Sequence, residues 1–276
     1  MLVGREIIDL ELTLMESAQC FRWVARDGRY GCVLNGRPVW LWQADGGLYA
    51  EGDVDREWLR HYLDLDRDYG AIAREFDRIP VARRAMALYP GLRVMNQPPW
   101  EALVSFILSA NNNVARIRAL VAALSTGFGE ECGGLYGFPT PERLAAASED
   151  ALRGLKVGYR ARYLIDTARR VCDGFPLDAL CDMPYEAAHE RLVMLPGVGD
   201  KVADCVLLFG CGHAEAFPVD VWVARLLNDW FGLCGLSRPA MAREARRRLG
   251  EHAGLMQQFL FHAARTGGIG LKAVEA

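Results

Sequence analysis

The stretch LPGVGDK, residues 195–201, decides the reading of this chain. A segment with helical apolar spacing, PYEAAHERLVML at 184–195, runs into it, and KVADCVLLFG at 201–210 runs out of it. Helix, glycine turn, helix is a helix–hairpin–helix. Gly197 and Gly199 permit positive φ and remove side chains that would block a close approach. The second helix presents unpaired N–H groups at the tip of the turn. Those donors and the helix dipole favour an anion such as a DNA phosphate, held by the backbone of Gly197, Val198 and Gly199. Such a hairpin grips the nucleic-acid backbone without reading bases. A bound alkali cation could bridge the hairpin carbonyls to the phosphate; the residues call for no catalytic metal and no cofactor.

A packed glycine turn between two helices is the plainer reading, and Lys201 argues against it. A cation in the first turn of a helix opposes the dipole. The neutral amine that this favours is a nucleophile. The bland role for Lys201 is a local ion pair with Asp204. Further on, in FPVDVW at 217–222, Asp220 follows Pro218 at the start of a helix. It is expected to cap that helix, and the same carboxylate can face a reaction centre. Spacing does not choose between the two.

Around this centre, the first roughly 50 residues differ from the rest. CFRWVARDGRYGCVLNGRPVWLWQADGGLYAEG alternates apolar and polar residues and is broken by RDG, NGR and ADGG, which are hairpin signals. From Val54 onward helical periodicity takes over. PPWEALVSFILSANN reads as a buried helix opened by Pro99; TPERLAAAS and SEDALRGL start at the caps Thr140 and Ser148; YRARYLIDTARRVCDG stops at Gly174. VDVWVARLLNDWFG, MAREARRRLG and GLMQQFLFHAAR complete the series. The expected fold is α+β: a small N-terminal antiparallel β domain with a trailing helix over 1–75, then an all-helical region over 76–276, whose two ends can form two subdomains.

Composition sets bounds. Of 276 residues, 51% are hydrophobic and 24% charged, the range of a soluble globule with a real core. No apolar run reaches about 18 residues, so no membrane span is expected. The N-terminus MLVGREIIDLEL carries acids and lacks a leader pattern, so the expected location is the cytosol. Eight cysteines stand at 20, 32, 132, 172, 181, 205, 211 and 234, none in a CxxC pair, which argues against a zinc ribbon or an iron–sulfur loop. The net charge of −3 does not advertise a nucleic-acid binder, but only the binding face need be positive.

LPGVGDKVADC followed by PVDV is similar to the helix–hairpin–helix, Gly/Pro, Asp superfamily of DNA glycosylases. FILSANNNVARI (106–117), VGYRARY (157–163), AQCFRW (18–23) and MQQFLF (256–261) narrow the resemblance to the 8-oxoguanine DNA glycosylase/AP lyase family, over nearly the whole chain. The resemblance implies base-excision repair on double-stranded DNA by a monomer. Lys201 would attack C1′ and form a Schiff base, Asp220 would stabilise charge on the sugar, and β-elimination would follow. It implies a base pocket of Ala18, Cys205, Gln257 and Phe261. It makes Tyr159 the wedge that fills the flipped-out base's place, and Asn111, Arg116 and Arg160 the contacts to the opposite cytosine.

Three departures stand out. The family has Gly where this chain has Ala18, a change that keeps the carbonyl but adds a Cβ. A His and a supporting Asp of the family are replaced by Trp222 and Ala264. The β domain looks shortened. The competing readings are a glycosylase for another damaged base and a non-catalytic DNA-binding module. Alkylation-repair members usually lack the lysine and adenine-excising members usually carry a cluster-binding cysteine set, whereas this chain has the lysine and lacks the set.

Overall fold

The computed structural model describes residues 1–271. Near the N-terminus five strands form one antiparallel sheet: β1 (Leu2–Gly4), β2 (Val24–Arg26), β3 (Arg29–Leu34), β4 (Arg37–Ala44) and β5 (Gly47–Glu51), in the order β1-β5-β4-β3-β2. The three expected turns are tight hairpins, pairing Arg26 with Arg29, Leu34 with Arg37 and Ala44 with Gly47. Both central residues of each turn have positive φ: Asp27 and Gly28, Asn35 and Gly36, Asp45 and Gly46. That is the I′ geometry whose twist matches the strands it joins. β1 went unread in the sequence: Leu2 and Gly4 pair with Tyr49 and Leu48 of β5 at the sheet's edge, and nothing local marks them.

Two helices follow the sheet rather than one, α1 (Arg56–Tyr62) and α2 (Tyr69–Glu75), capped by Asp55 and Asp68. Leu59, Tyr62 and Leu63 join the sheet's core with Val39, Leu41 and Trp23. Tyr69, Ile72 and Phe76 instead join the large helical core. Next come α3 (Pro80–Leu88), α4 (Pro99–Ser109), α5 (Val114–Phe128), a short hairpin of β6 (Glu131–Cys132) and β7 (Leu135–Tyr136), α6 (Pro141–Ala145), α7 (Glu149–Gly154) and α8 (Arg160–Cys172). The chain then runs through α9 (Tyr185–Leu192), α10 (Asp200–Gly210), α11 (Val221–Phe231), α12 (Arg238–Leu249) and α13 (Ala253–Thr266). The caps expected at Thr140 and Ser148 are made, accepting from the N–H groups of Arg143 and Ala151. No helix among the described residues is long and apolar enough to cross a membrane, and all eight cysteines are free.

At the centre of the helical region α4 and α10 run antiparallel. Gly210, at the end of α10, lies so close to the start of α4 that a Cβ there would meet that of Ala102 at 2.9 Å. At the other end Lys201 meets Ser109. Between them Phe106 and Phe209 stack with centroids 5.3 Å apart. Burying such side chains contributes roughly 1.5–3 kcal/mol each. This packing fixes where the amine at the head of α10 can stand.

Candidate active site and nucleic-acid interface

The hairpin turns as the sequence implies, with one correction. Gly197 has φ +78, but Gly199 has φ −104 and ψ −178, extended backbone that any residue adopts. The two glycines therefore have different causes. A Cβ on Gly197 would meet the Tyr163 ring at 2.8 Å, whereas a Cβ on Gly199 would meet nothing within 4 Å. Replacing Gly197 by Ala is expected to cost about 2 kcal/mol or more of unfolding free energy, through the left-handed backbone and the displaced ring. A urea melt measures it, and an unchanged midpoint would show that Tyr163 yields freely. Among the described residues the carbonyls of Gly197 and Val198 accept no hydrogen bond, while that of Pro196 accepts from Thr167 Oγ1 at 2.9 Å. No group of three or more His, Cys, Asp or Glu residues gathers to hold a metal among the described residues.

Lys201 is half-buried in a cleft of about 580 Å³, also lined by Ser109–Asn112, Gly197, Gly199, Asp220, Trp222 and Arg238. Its Nζ donates to Ser109 Oγ at 2.9 Å, and Ser109 donates onward to the Phe106 carbonyl at 2.7 Å. The amine also stands 5.1 Å from the Phe106 ring centroid. The ion pair with Asp204 is not formed. Asp204 is buried and accepts from Tyr185 Oη at 2.6 Å, with His189 at 4.0 Å and Arg246 donating to Tyr185 at 2.7 Å. Burial pushes the Asp204 carboxyl up, against the pull of Tyr185 and His189. This network ties α9, α10 and α12 together and leaves Lys201 facing the cleft.

Asp220 caps α11 as expected, its Oδ1 accepting from the Val223 N–H at 2.8 Å. Among the described residues Oδ2 has no hydrogen-bond partner. One carboxylate thus serves the fold and the cleft through different oxygens. Trp222 is 44% exposed beside it, with the Arg225 guanidinium 5.5 Å from its ring, and Ala264 is buried.

The other expected site residues form two groups. Tyr159 is 49% exposed at the start of α8 and meets the edge of Tyr163, the ring that fills the space beneath Gly197. Arg160 is only 5% exposed: its Nη2 donates to the carbonyls of Ala110 and Asn111, and its guanidinium lies 4.6 Å from the Tyr159 ring centroid. Asn111 is exposed with φ +50, a conformation asparagine tolerates. Arg116 is exposed, and its side chain has no partner among the described residues. Wedge, loop and hairpin therefore adjoin one another beside the cleft.

Ala18, Cys205, Gln257 and Phe261 do not line that cleft, whose wall is the first turn of α12 rather than α13. Cys205 adjoins it: burial pushes its thiol up to about 12 against the opposing charge of Lys201, so it stays a neutral, apolar surface. Gln257 is 4% exposed, and its Oε1 is buried without a partner. Phe261 is half-buried on the same face of α13. Ala18 has φ +61 and follows a π-helical turn, Glu11–Glu16. Among the described residues its carbonyl accepts no hydrogen bond, while those of Ser17 and Gln19 both do. Sequence reasoning missed Ser109 and Arg238. Ser109 lies within the FILSANN stretch, but nothing in the sequence points its hydroxyl at Lys201.

Residues 104–252 match the model of the HhH-GPD superfamily base excision DNA repair protein, and residues 1–103 that of the 8-oxoguanine DNA glycosylase, N-terminal domain. A probable N-glycosylase/DNA lyase of Methanothermobacter thermautotrophicus is 35% identical over 206 residues, covering 65% of this chain and 65% of that protein. The N-glycosylase/DNA lyase of Saccharomyces cerevisiae is 41% identical over 194 residues, covering 63% of this chain and 51% of that one. The matched stretches thus span less than two thirds of either relative's length. The 8-oxoguanine glycosylase/lyase of Clostridium acetobutylicum, solved with double-stranded DNA containing cytosine opposite 8-oxoguanine, is 32% identical with a TM-score of 0.89, over 96% of this chain and 94% of that one.

Proposed function

Because the chain belongs to the HhH-GPD superfamily of base excision DNA repair proteins, in its 8-oxoguanine glycosylase branch, we propose that it excises 8-oxoguanine from duplex DNA through a Schiff base on Lys201 and then nicks the abasic strand by β-elimination. The observation that carries this reading is the shared cleft: an amine and the unshared oxygen of a carboxylate, Lys201 and Asp220, beside an open hairpin.

A base stacked in a duplex is out of reach, so the target nucleotide is flipped out, at a cost of a few kcal/mol. Tyr159 takes its place in the stack. The unprotonated Lys201 amine attacks C1′, and the bond from C1′ to the purine nitrogen breaks with its electrons going to the base. The sugar carries positive charge in this step, and Asp220 Oδ2 stabilises it. Loss of the amine's proton and opening of the ring give an imine between Nζ and C1′. Removal of a proton from C2′ then expels the 3′ phosphate. An activated water would have stopped at the abasic site; an amine gives the imine from which elimination proceeds.

The lesion carries an N–H donor at N7 where guanine has an acceptor. The unengaged Ala18 carbonyl suits the donor and repels the acceptor, and leaving such a group unpaired costs about 1–3 kcal/mol. The orphaned Gln257 Oε1 is a second acceptor awaiting a base edge. Phe261 and the neutral Cys205 would cover the two planes of the base. The hairpin holds a phosphate, and an alkali cation would sit against the free carbonyls of Gly197 and Val198.

Opposite the lesion, an unpaired cytosine exposes two acceptors, O2 and N3, to guanidinium donors. Arg116 is free to meet them, while Arg160 must first exchange its hydrogen bonds to the Ala110 and Asn111 carbonyls. Arg116→Ala is expected to reduce the preference for cytosine by about 10-fold, read as base-release rates on four duplexes differing only in the opposite base. An equal loss on all four would remove Arg116 from that role. The whole reading is tested by borohydride trapping on an 8-oxoguanine:cytosine duplex, with Lys201→Gln as the control.

A further inference from the structure

The backbone on either side of Ala18 is held by side chains from other parts of the chain. Arg118 on α5 donates to the Met15 carbonyl and Arg265 on α13 to that of Glu16. Gln258 on α13 donates to the Ser17 carbonyl at 2.6 Å, and Gln97, just before α4, to that of Gln19 at 2.7 Å. Gln19 is itself buried, donating to the Arg93 carbonyl at 2.7 Å and accepting from the Met95 N–H at 2.8 Å. The carbonyls of residues 15, 16, 17 and 19 are all engaged, and that of Ala18 is the exception among the described residues.

In the middle of this run Ala18 has φ +61. That conformation is strained for an L-residue. Such a conformation persists only where the surroundings over-determine it. Two of the side chains that do so come from α13, the helix that also carries Gln257 and Phe261, and Arg265 packs its guanidinium 5.9 Å from the Phe261 ring centroid.

We propose that Arg265 and Gln258, with Arg118, are positioning residues that hold Ala18 in the left-handed conformation and thereby set where its free carbonyl stands for reading an N–H donor on the excised base. The recognition half of this rests on the function proposed above; the conformational half does not. A glycine at 18 would adopt the same geometry without strain. With alanine the clamp is required, and it ties two walls of the base pocket into one unit. Losing a clamp hydrogen bond lets Ala18 relax to negative φ. The relaxation returns strain energy to the fold while moving the carbonyl away from the base.

This makes the effects on stability and on activity run in opposite directions. Arg265→Leu and, separately, Gln258→Leu are made both with Ala18 and in the Ala18→Gly background. Single-turnover base release on an 8-oxoguanine:cytosine duplex, duplex affinity and unfolding free energy are measured for each. With Ala18, clamp loss is expected to slow base release about 10-fold more than it does with glycine at 18. The same substitution is expected to lower stability less with Ala18 than with glycine, and to leave duplex affinity within about 2-fold, a coupling of the usual size for contacting residues. Equal rate losses in the two backgrounds overturn the proposal, as does a fall in duplex affinity that accounts for the rate loss, which would make Arg265 a phosphate contact. If no form releases 8-oxoguanine, the proposed function fails, and the stability comparison still decides the clamp: equal losses in both backgrounds reject it.

Discussion

Lys201→Gln is expected to abolish covalent capture by borohydride on an 8-oxoguanine:cytosine duplex and to slow base release by at least roughly 10³-fold, the scale on which covalent enzymes lose rate when the nucleophile is removed. The amide has no nucleophilic lone pair and cannot form an imine. The fold has little reason to respond. Lys201 donates to Ser109 Oγ and meets the Cys205 thiol, contacts an amide N–H can also make, and α10 is held by the Phe106–Phe209 stack and the Asp204 network rather than by the amine. Loss of the adduct with an unchanged melting curve and unchanged duplex affinity therefore isolates the chemistry. An adduct that survives the substitution would assign the nucleophile elsewhere. A parent protein that binds the duplex tightly and never traps would be a DNA-binding module, and the mechanism proposed for the cleft would be wrong.

The second large effect is expected at Asp220, where two substitutions separate two roles. Asn caps a helix about as well as Asp, so Asp220→Asn is expected to keep the hydrogen bond to the Val223 N–H and to leave stability within about 0.5 kcal/mol. It removes the negative charge from the cleft and is expected to slow base release by about 10²–10³-fold, the usual cost of losing one preorganised electrostatic contact. Asp220→Ala loses both roles and should add a stability loss of about 1 kcal/mol. Base release by Asp220→Asn at the parent rate would leave Asp220 as a cap and nothing more.

Lys201 stood out in the sequence because a cation at a helix N-terminus breaks a local preference, whereas an acid at the position of Asp220 is an ordinary cap and only the family resemblance singled it out. The local features were legible from the residues themselves. Aspartate or asparagine followed by glycine writes an I′ turn directly, and Thr140 and Ser148 write helix starts. Features that depend on distant partners were not legible. β1 is three residues long and is made a strand only by β5. Asp204, at i+3 from Lys201, is locally an ion-pair partner, yet a buried Tyr185 hydroxyl from another helix captures it. Gly197 and Gly199 look alike in the sequence; the ring of Tyr163 separates them. The π-helical turn before Ala18 has no compositional mark at all, and nothing local shows that Arg160, which the family resemblance makes a cytosine contact, donates through Nη2 to the carbonyls of Ala110 and Asn111.

The open space over Gly199 has a consequence of its own. Since the backbone there is ordinary and no neighbour would touch an added methyl, the fold has room for a small side chain at the position. A side chain there would project toward whatever docks against the hairpin rather than into the protein. In that sense position 199 belongs to the partner's surface more than to the protein's own.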